Sequence, residues 1–223
     1  MPSDLRSQPF SILLTLGEST TWGMCATSED RRWANVLARL ISEFQGQAVR
    51  LINKGISANS ISPRSPGYDA SAKPSALERL EQDVLAHRPD LLVCSYGLND
   101  MRCRMHPEEF REDLRTVVRT VRAHCEPVTV LTTVYHMTGW ERYAPFDQGT
   151  PEATRVFNLV IAQVAEEEGA VLADIHAAEG GADWMIHPDG VHANDLGHRI
   201  IAHRVFEALA QRCSCLALTC ERG

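Results

Sequence analysis

Short runs in which almost every position is apolar alternate along the chain with longer stretches where apolar residues recur every three or four positions. The short runs are "FSILLTL" (10–16), "AVRLIN" (48–53), "DLLVCSY" (90–96), "VTVLTTVY" (128–135) and "AVLADI" (170–175). Continuous apolarity with β-branched enrichment predicts strands covered on both faces. The longer stretches run from Thr27 to Phe44, Pro74 to His87, Pro107 to His124, Thr150 to Glu168 and Asn194 to Arg212. Gly46 and Gly169 close two of them, and Pro74, Pro107 and Pro151 suit a first helical position, where a missing N–H costs nothing. Strand alternating with helix predicts an α/β fold: a three-layer α/β/α sandwich around a five-stranded parallel sheet with right-handed crossovers. One domain is expected over 1–223, with the segment after about residue 212 packing or fraying as an irregular tail.

Composition narrows the possible partners. The 223 residues are 44% hydrophobic and 23% charged, enough for one substantial core. With 29 acidic against 22 basic residues the formal charge is −7, which disfavours nucleic acid and anionic membranes and leaves a neutral or small substrate. No apolar run approaches the roughly 18 residues of a membrane span, and the start has neither the apolar length nor the cleavage site of an export signal. A cytoplasmic location is expected. Seven cysteines, with Cys94 inside a strand-like run, fit reduced thiols better than a disulfide framework. No cofactor is expected, and the oligomeric state is not legible.

In an open parallel sheet ligands bind beyond the carboxyl ends of the strands. Three such ends carry chemistry. Strand one runs into Gly17, Glu18 and Ser19; strand two ends in "INKGISANS", with Asn53 and Gly55; strand three is followed by "GLND", with Gly97, Asn99 and Asp100. A hydroxyl, a bare backbone N–H and a side-chain amide would converge there, the set that acyl transfer needs for a nucleophile and an oxyanion hole. The base can come from "HPDGVHANDLGH", where Asp189 precedes His192 by three residues and can orient its imidazole.

These blocks, in this order from Gly17 to His192, resemble the SGNH, or GDSL-type, hydrolases, a family of serine esterases and lipases. "GESTTWG" is similar to the family's G-D-S-x-T-x-G, "NKGISANS" to its second block, "GLND" to G-x-N-D and "DGVH" to D-x-x-H. The resemblance implies a flavodoxin-like sheet and an acyl-serine mechanism. Ser19 would be the nucleophile and a backbone oxyanion donor, Gly55 N–H and the Asn99 amide the other donors, His192 the base and Asp189 its orienting carboxylate. Glu18 stands where the family has aspartate, and Ala58 replaces a glycine usual in the second block. Asp189 already supplies the carboxylate that His192 needs, so Glu18 is read as structural, bonding the strand-end loops so that the turn and the Gly55 and Asn99 donors stay in register. Asn53 is likewise read as structural near the site.

Each residue has a plainer reading. Ser19 alone could cap a helix, Asn99 and Asp100 could form an ordinary turn, and His192 could merely precede a helix capped by Asn194. The ordered set favours function for Ser19, Asn99 and His192, and turn structure for Asp100. His187, His192, His198 and His203 lack carboxylate and thiol partners at ligand spacing, so no metal is expected. Cys25 lies near the nucleophile turn without a second motif for thiol chemistry. The three cysteines of "CSCLALTC" are too few for a closed metal site. Tyr135, Trp140 and Tyr143, at and after strand four, are candidate substrate-binding residues, and Phe146 in the same loop could also line an acyl pocket, although such aromatics could equally cap the core. The expected reaction is hydrolysis of a carboxylic ester, of short acyl or acetyl type, with thioesterase or lysophospholipase action as variants. A catalytically weak domain binding carbohydrate or a protein is the alternative.

Overall fold

A computed structural model describes residues 4–217. In chain order the elements are strand β1 (Ile12–Gly17), helix α1 (Ser19–Trp22), α2 (Trp33–Gln45), β2 (Arg50–Gly55), α3 (Ala76–Asp83), β3 (Leu91–Ser95), α4 (Leu98–Arg102), α5 (Pro107–Cys125), β4 (Val128–Thr132), α6 (Pro151–Glu167), β5 (Val171–Ala173), α7 (Ile175–Glu179) and α8 (Asp195–Ala210). The five strands form one parallel sheet in the order β2-β1-β3-β4-β5, that of flavodoxin-like doubly wound folds, as the apolar runs imply. Helices α2 and α8 pack together on one face, while α3, α5 and α6 pack in series on the other. The inner strands β1 and β3 are nearly all apolar because both faces are roofed: Leu13, Leu14, Leu16, Leu91, Leu92 and Val93 are all buried, whereas the edge strand β2, with Arg50, Asn53 and Lys54, has no fully buried residue.

Several ends differ from the sequence reading. Pro74 precedes the helix rather than opening it, because Ser75 is a better N-cap. Its side chain and that of Glu78 form a capping box, which satisfies orphan N–H groups that a proline start would leave to water. The stretch after Thr27 breaks into a 3-10 turn (Glu29–Arg31) before α2. The one-turn helices α1, α4 and α7 follow strand ends directly and are too short for periodicity to reveal. The chain after Arg212 is not loose up to residue 217. Cys213 and Leu216 are buried, and Ser214 donates from both N–H and hydroxyl to Asp4. Six described cysteines are unpaired, and Cys220 of the "CSCLALTC" segment lies outside the described residues.

The ends of β1, β2 and β3 are tied together by one buried cation. Arg79, on α3, is 2% exposed and donates to the carbonyls of Gly17 and Lys54, to Asp83 and to the Tyr96 hydroxyl. Tyr96 in turn donates to Asn59 Oδ1, so the loop after β2 is held over the strand ends. A guanidinium suits this place because its donors fan out in a plane to several oxygens at once.

Candidate active site

At the carboxyl edge of the sheet, Ser19 is the first residue of α1, immediately after the turn that ends β1. Its Oγ lies 2.8 Å from His192 Nε2, and His192 Nδ1 lies 2.6 Å from Asp189 Oδ2. The other carboxylate oxygen of Asp189 accepts the backbone N–H groups of Val191 (2.9 Å) and His192 (3.0 Å). Burial alone would raise the Asp189 carboxyl, but these N–H groups and the His192 ring outweigh it and hold it at about 2. Asp189 is therefore ionised at neutral pH. The loop carrying it is braced by the segment after β4: Thr138 and Gly139 donate backbone N–H to the Gly190 carbonyl, and Arg142 donates to the carbonyls of Pro188 and Asp189. Gly190 has φ +78°, and a Cβ there would lie 2.9 Å from the Gly139 backbone, so glycine is needed twice over.

The crevice above Ser19 has a volume of about 390 Å³ and is lined by Met24, Ser57, Ala58, Asn99, Arg102, Tyr143, Ala144, Phe146, Asp189 and His192. Gly55 is not among them, and this corrects its assignment as an oxyanion donor. Its N–H is already given to Asn53 Oδ1 at 2.9 Å, and a Cβ at residue 55 would lie 2.0 Å from the Trp22 backbone nitrogen. Glycine is there to let β2 approach α1. Asn53, read as structural, makes that junction, with Nδ2 donating to the Thr21 carbonyl at 2.8 Å. The position facing the crevice is Ala58, three residues on. It holds φ +53°, and its N–H has no partner among the described residues. Sequence reasoning passed over it because it sought a glycine; the signal was its place in the second block.

Asn99 lies at the crevice on α4. One N–H of its amide goes to the Asn59 carbonyl at 2.9 Å, which orients the group and leaves the second N–H free. Glu18, 4% exposed, accepts the Asn99 backbone N–H at 2.9 Å and so joins the nucleophile turn to α4. The register expected for Asn99 is present; a link from Glu18 to Gly55 is not. Burial first, then the nearby Asp100 carboxyl, push Glu18 well above the usual carboxylate range despite backbone N–H bonds that pull it down. Asp100 is fully buried with both oxygens near Ile61 N–H (3.2 and 3.3 Å); its place is structural, but it ties a backbone 39 residues away and does not close the local turn expected for it.

Burial raises Asp100 to about 7, in spite of the bonds it accepts. Between its ordinary range near pH 4 and pH 7 the unfolded chain releases this proton and the folded chain keeps it. Stability from this residue is therefore greatest at acid pH and falls as pH rises through that window. Asp100→Asn, which keeps one acceptor for Ile61, should flatten the decline, the difference from wild type being on the order of a few kcal/mol. Urea unfolding at pH 4.5, 6 and 8 measures it; parallel curves for the two proteins would refute it.

Of the four aromatics singled out, Tyr143 and Phe146 reach the crevice. Tyr143 lines it and is 55% exposed. Tyr135 does not: it is buried, with its hydroxyl bonded to Thr20 Oγ1. Trp140 packs against the hydrophobic core beside Gly149 and the stem of Arg102. In both, apolar area prevailed over the pocket. Met24, Ser57, Arg102 and Ala144 complete the wall; loop conformation brings them together, which periodicity does not encode. His198 is a fully buried packing residue bonded to the Met24 carbonyl, and His203 is exposed on α8. Asn194 caps α8 by accepting the N–H groups of Leu196 and Gly197.

Residues 15–200 match the family described as GDSL-like lipase/acylhydrolase. An acetylxylan esterase from Geobacillus stearothermophilus is 26% identical over 184 residues, 76% of each chain. A crystal structure of an acetylxylan esterase from the same organism superposes with a TM-score of 0.68 at 22% identity, over 92% of this chain and 96% of that one. That of TesA does so at 0.72 and 20%, over 90% and 99%. At these identities the superpositions show a shared fold. No described helix is long and apolar enough to cross a membrane. The match over most of its length means that the chain belongs to the GDSL-like lipase/acylhydrolase family and is an esterase/acylhydrolase of that type.

Proposed function

We propose that the chain hydrolyses short acyl esters, acetyl esters of carbohydrates foremost, through an acyl-serine intermediate. The observation that carries this is the continuous path Ser19 Oγ, His192 Nε2, His192 Nδ1, Asp189 Oδ2, with contacts of 2.8 and 2.6 Å at the mouth of the crevice. His192 takes the Ser19 proton as Oγ attacks the ester carbonyl, then returns it to the leaving alkoxide. Water enters by the same route and releases the acid. The oxyanion is received by the N–H groups of Ser19 and Ala58 and by the free N–H of the Asn99 amide. The carbohydrate part of the reading rests on the similarity to the acetylxylan esterase. Its short acyl part rests on a crevice of about 390 Å³ walled in part by the rings of Tyr143 and Phe146.

A fluorophosphonate followed by peptide mass spectrometry tests the nucleophile, and a series of p-nitrophenyl esters tests the acyl group. The adduct is expected on Ser19, and kcat/KM should be greatest for acetate and fall steadily beyond butyrate. Label on another residue, or a rate that rises through octanoate, would refute the respective part.

Asn99→Ala should lower kcat by about 10²–10³-fold with little change in KM, because the lost donor acts chiefly on the transition state. It also strips the Asn59 carbonyl of a partner, costing about 1 kcal/mol of stability. Steady-state kinetics decide: a pure KM effect would make Asn99 a substrate-binding group.

A further inference from the structure

Asp189 of the proposed triad is flanked by two further electron-rich side chains, Cys25 and His187, that the proposed ester chemistry does not use. Cys25 Sγ lies 3.4 Å and His187 Nδ1 3.6 Å from the same oxygen of Asp189, Oδ2, and the three ligand atoms lie within 4.8 Å of one another. The one lone pair of His187 Nδ1 accepts the Asp189 backbone N–H at 3.3 Å, a long bond that a metal on Nδ1 would replace. A tetrahedral metal with bonds of about 2.0–2.3 Å sets its ligand atoms roughly 3.3–3.8 Å apart, a range that holds both separations from Asp189 Oδ2, while Cys25 and His187 lie within 4.8 Å of each other. Thiol, imidazole and one carboxylate oxygen are a set for zinc-like ions, not for magnesium or calcium.

We propose that Cys25, His187 and Asp189 form a binding site for a zinc-like divalent cation, and that its occupation switches the esterase off. On binding, Cys25 gives its thiol proton to solvent, and the ion exchanges waters for three protein ligands, keeping an open position for water. Asp189 Oδ2 is also the oxygen that meets His192 Nδ1, so charge it donates to the ion is withdrawn from that hydrogen bond. The base then loses its orienting carboxylate and gains a cation beside the ring that must become positive. The binding part stands on the three side chains alone; the switch rests on the proposed role of Asp189. Sequence spacing argued against metal because the thiol comes from the opposite end of the chain.

The test uses the full chain freed of metal by chelation. Zn²⁺ should abolish ester hydrolysis, and excess EDTA should restore it. Co²⁺ should give a thiolate-to-metal charge-transfer band, in wild type and equally in inactive Ser19→Ala. Cys25→Ala and His187→Ala should keep the metal-free rate. Each should require more Zn²⁺ for inhibition, by at least the roughly 10–100-fold that loss of even an outer partner costs. Absence of the cobalt band, or equal zinc sensitivity in wild type and both variants, overturns the site. Cobalt and zinc binding without inhibition overturns the switch. Full activity of metal-free Asp189→Asn would instead overturn the triad, while the cobalt band still reports the site.

Discussion

Ser19→Ala is expected to lower kcat by about 10⁴–10⁶-fold while thermal unfolding stays within a degree or two of wild type. The loss is large because no other hydroxyl can take over: Thr20 Oγ1 is turned inward to Tyr135, and the remaining members of the proposed triad only serve the nucleophile. The stability change is small because Oγ makes one hydrogen bond, to His192 at the edge of the crevice, and alanine suits the first position of α1. His192→Ala should cost about as much, and the double variant scarcely more, since the two groups act as one unit. The comparison of single and double variants is the decisive one. Additive losses would mean that His192 acts elsewhere than on Ser19. A Ser19→Ala protein retaining more than a hundredth of wild-type kcat would remove Ser19 from the chemistry.

What could be read from the sequence, and what could not, follows from how each residue reaches the crevice. Ser19 and Asn99 were legible because each stands within a few residues of a strand end, and parallel strands deliver all their carboxyl ends to one edge. Asp189 and His192 were legible because three residues on one loop are close enough to bond wherever the loop goes. Gly55 misled because glycine was equated with a donor for the oxyanion. Here it answers a packing demand, the contact of β2 with the Trp22 backbone, while a non-glycine residue, Ala58, takes the left-handed turn. Tyr135 and Trp140 misled because the direction of a side chain near a loop depends on what lies beneath it. Beneath Tyr135 is α1, and beneath Trp140 the core, so their rings are covered. The meeting of Cys25 with His187 was invisible for a related reason: no local pattern encodes contact between the loop after α1 and the loop before α8.

Asp189→Asn should lower kcat by about 10⁴-fold, and the local hydrogen bonds explain why so small a change is so costly. Oδ1 of Asp189 accepts two backbone N–H groups, those of Val191 and His192, while Oδ2 meets His192 Nδ1. An asparagine has one acceptor oxygen. The two fixed backbone donors claim it, because leaving them unpaired in a partly buried turn costs about 1–3 kcal/mol each. The amide NH₂ is thereby directed at His192 Nδ1, which must become the acceptor, so the ring proton moves to Nε2. In that tautomer Nε2 holds a proton toward Ser19 Oγ and cannot accept one. The fold should scarcely change, KM should stay near wild type, and the rate should recover in part at high pH, where hydroxide can take the serine proton. Nitrogen-15 NMR of the labelled imidazole reads the tautomer directly. A proton found on Nδ1 in Asp189→Asn, together with the full loss of rate, would show that the carboxylate's charge and not its choice of tautomer drives the base.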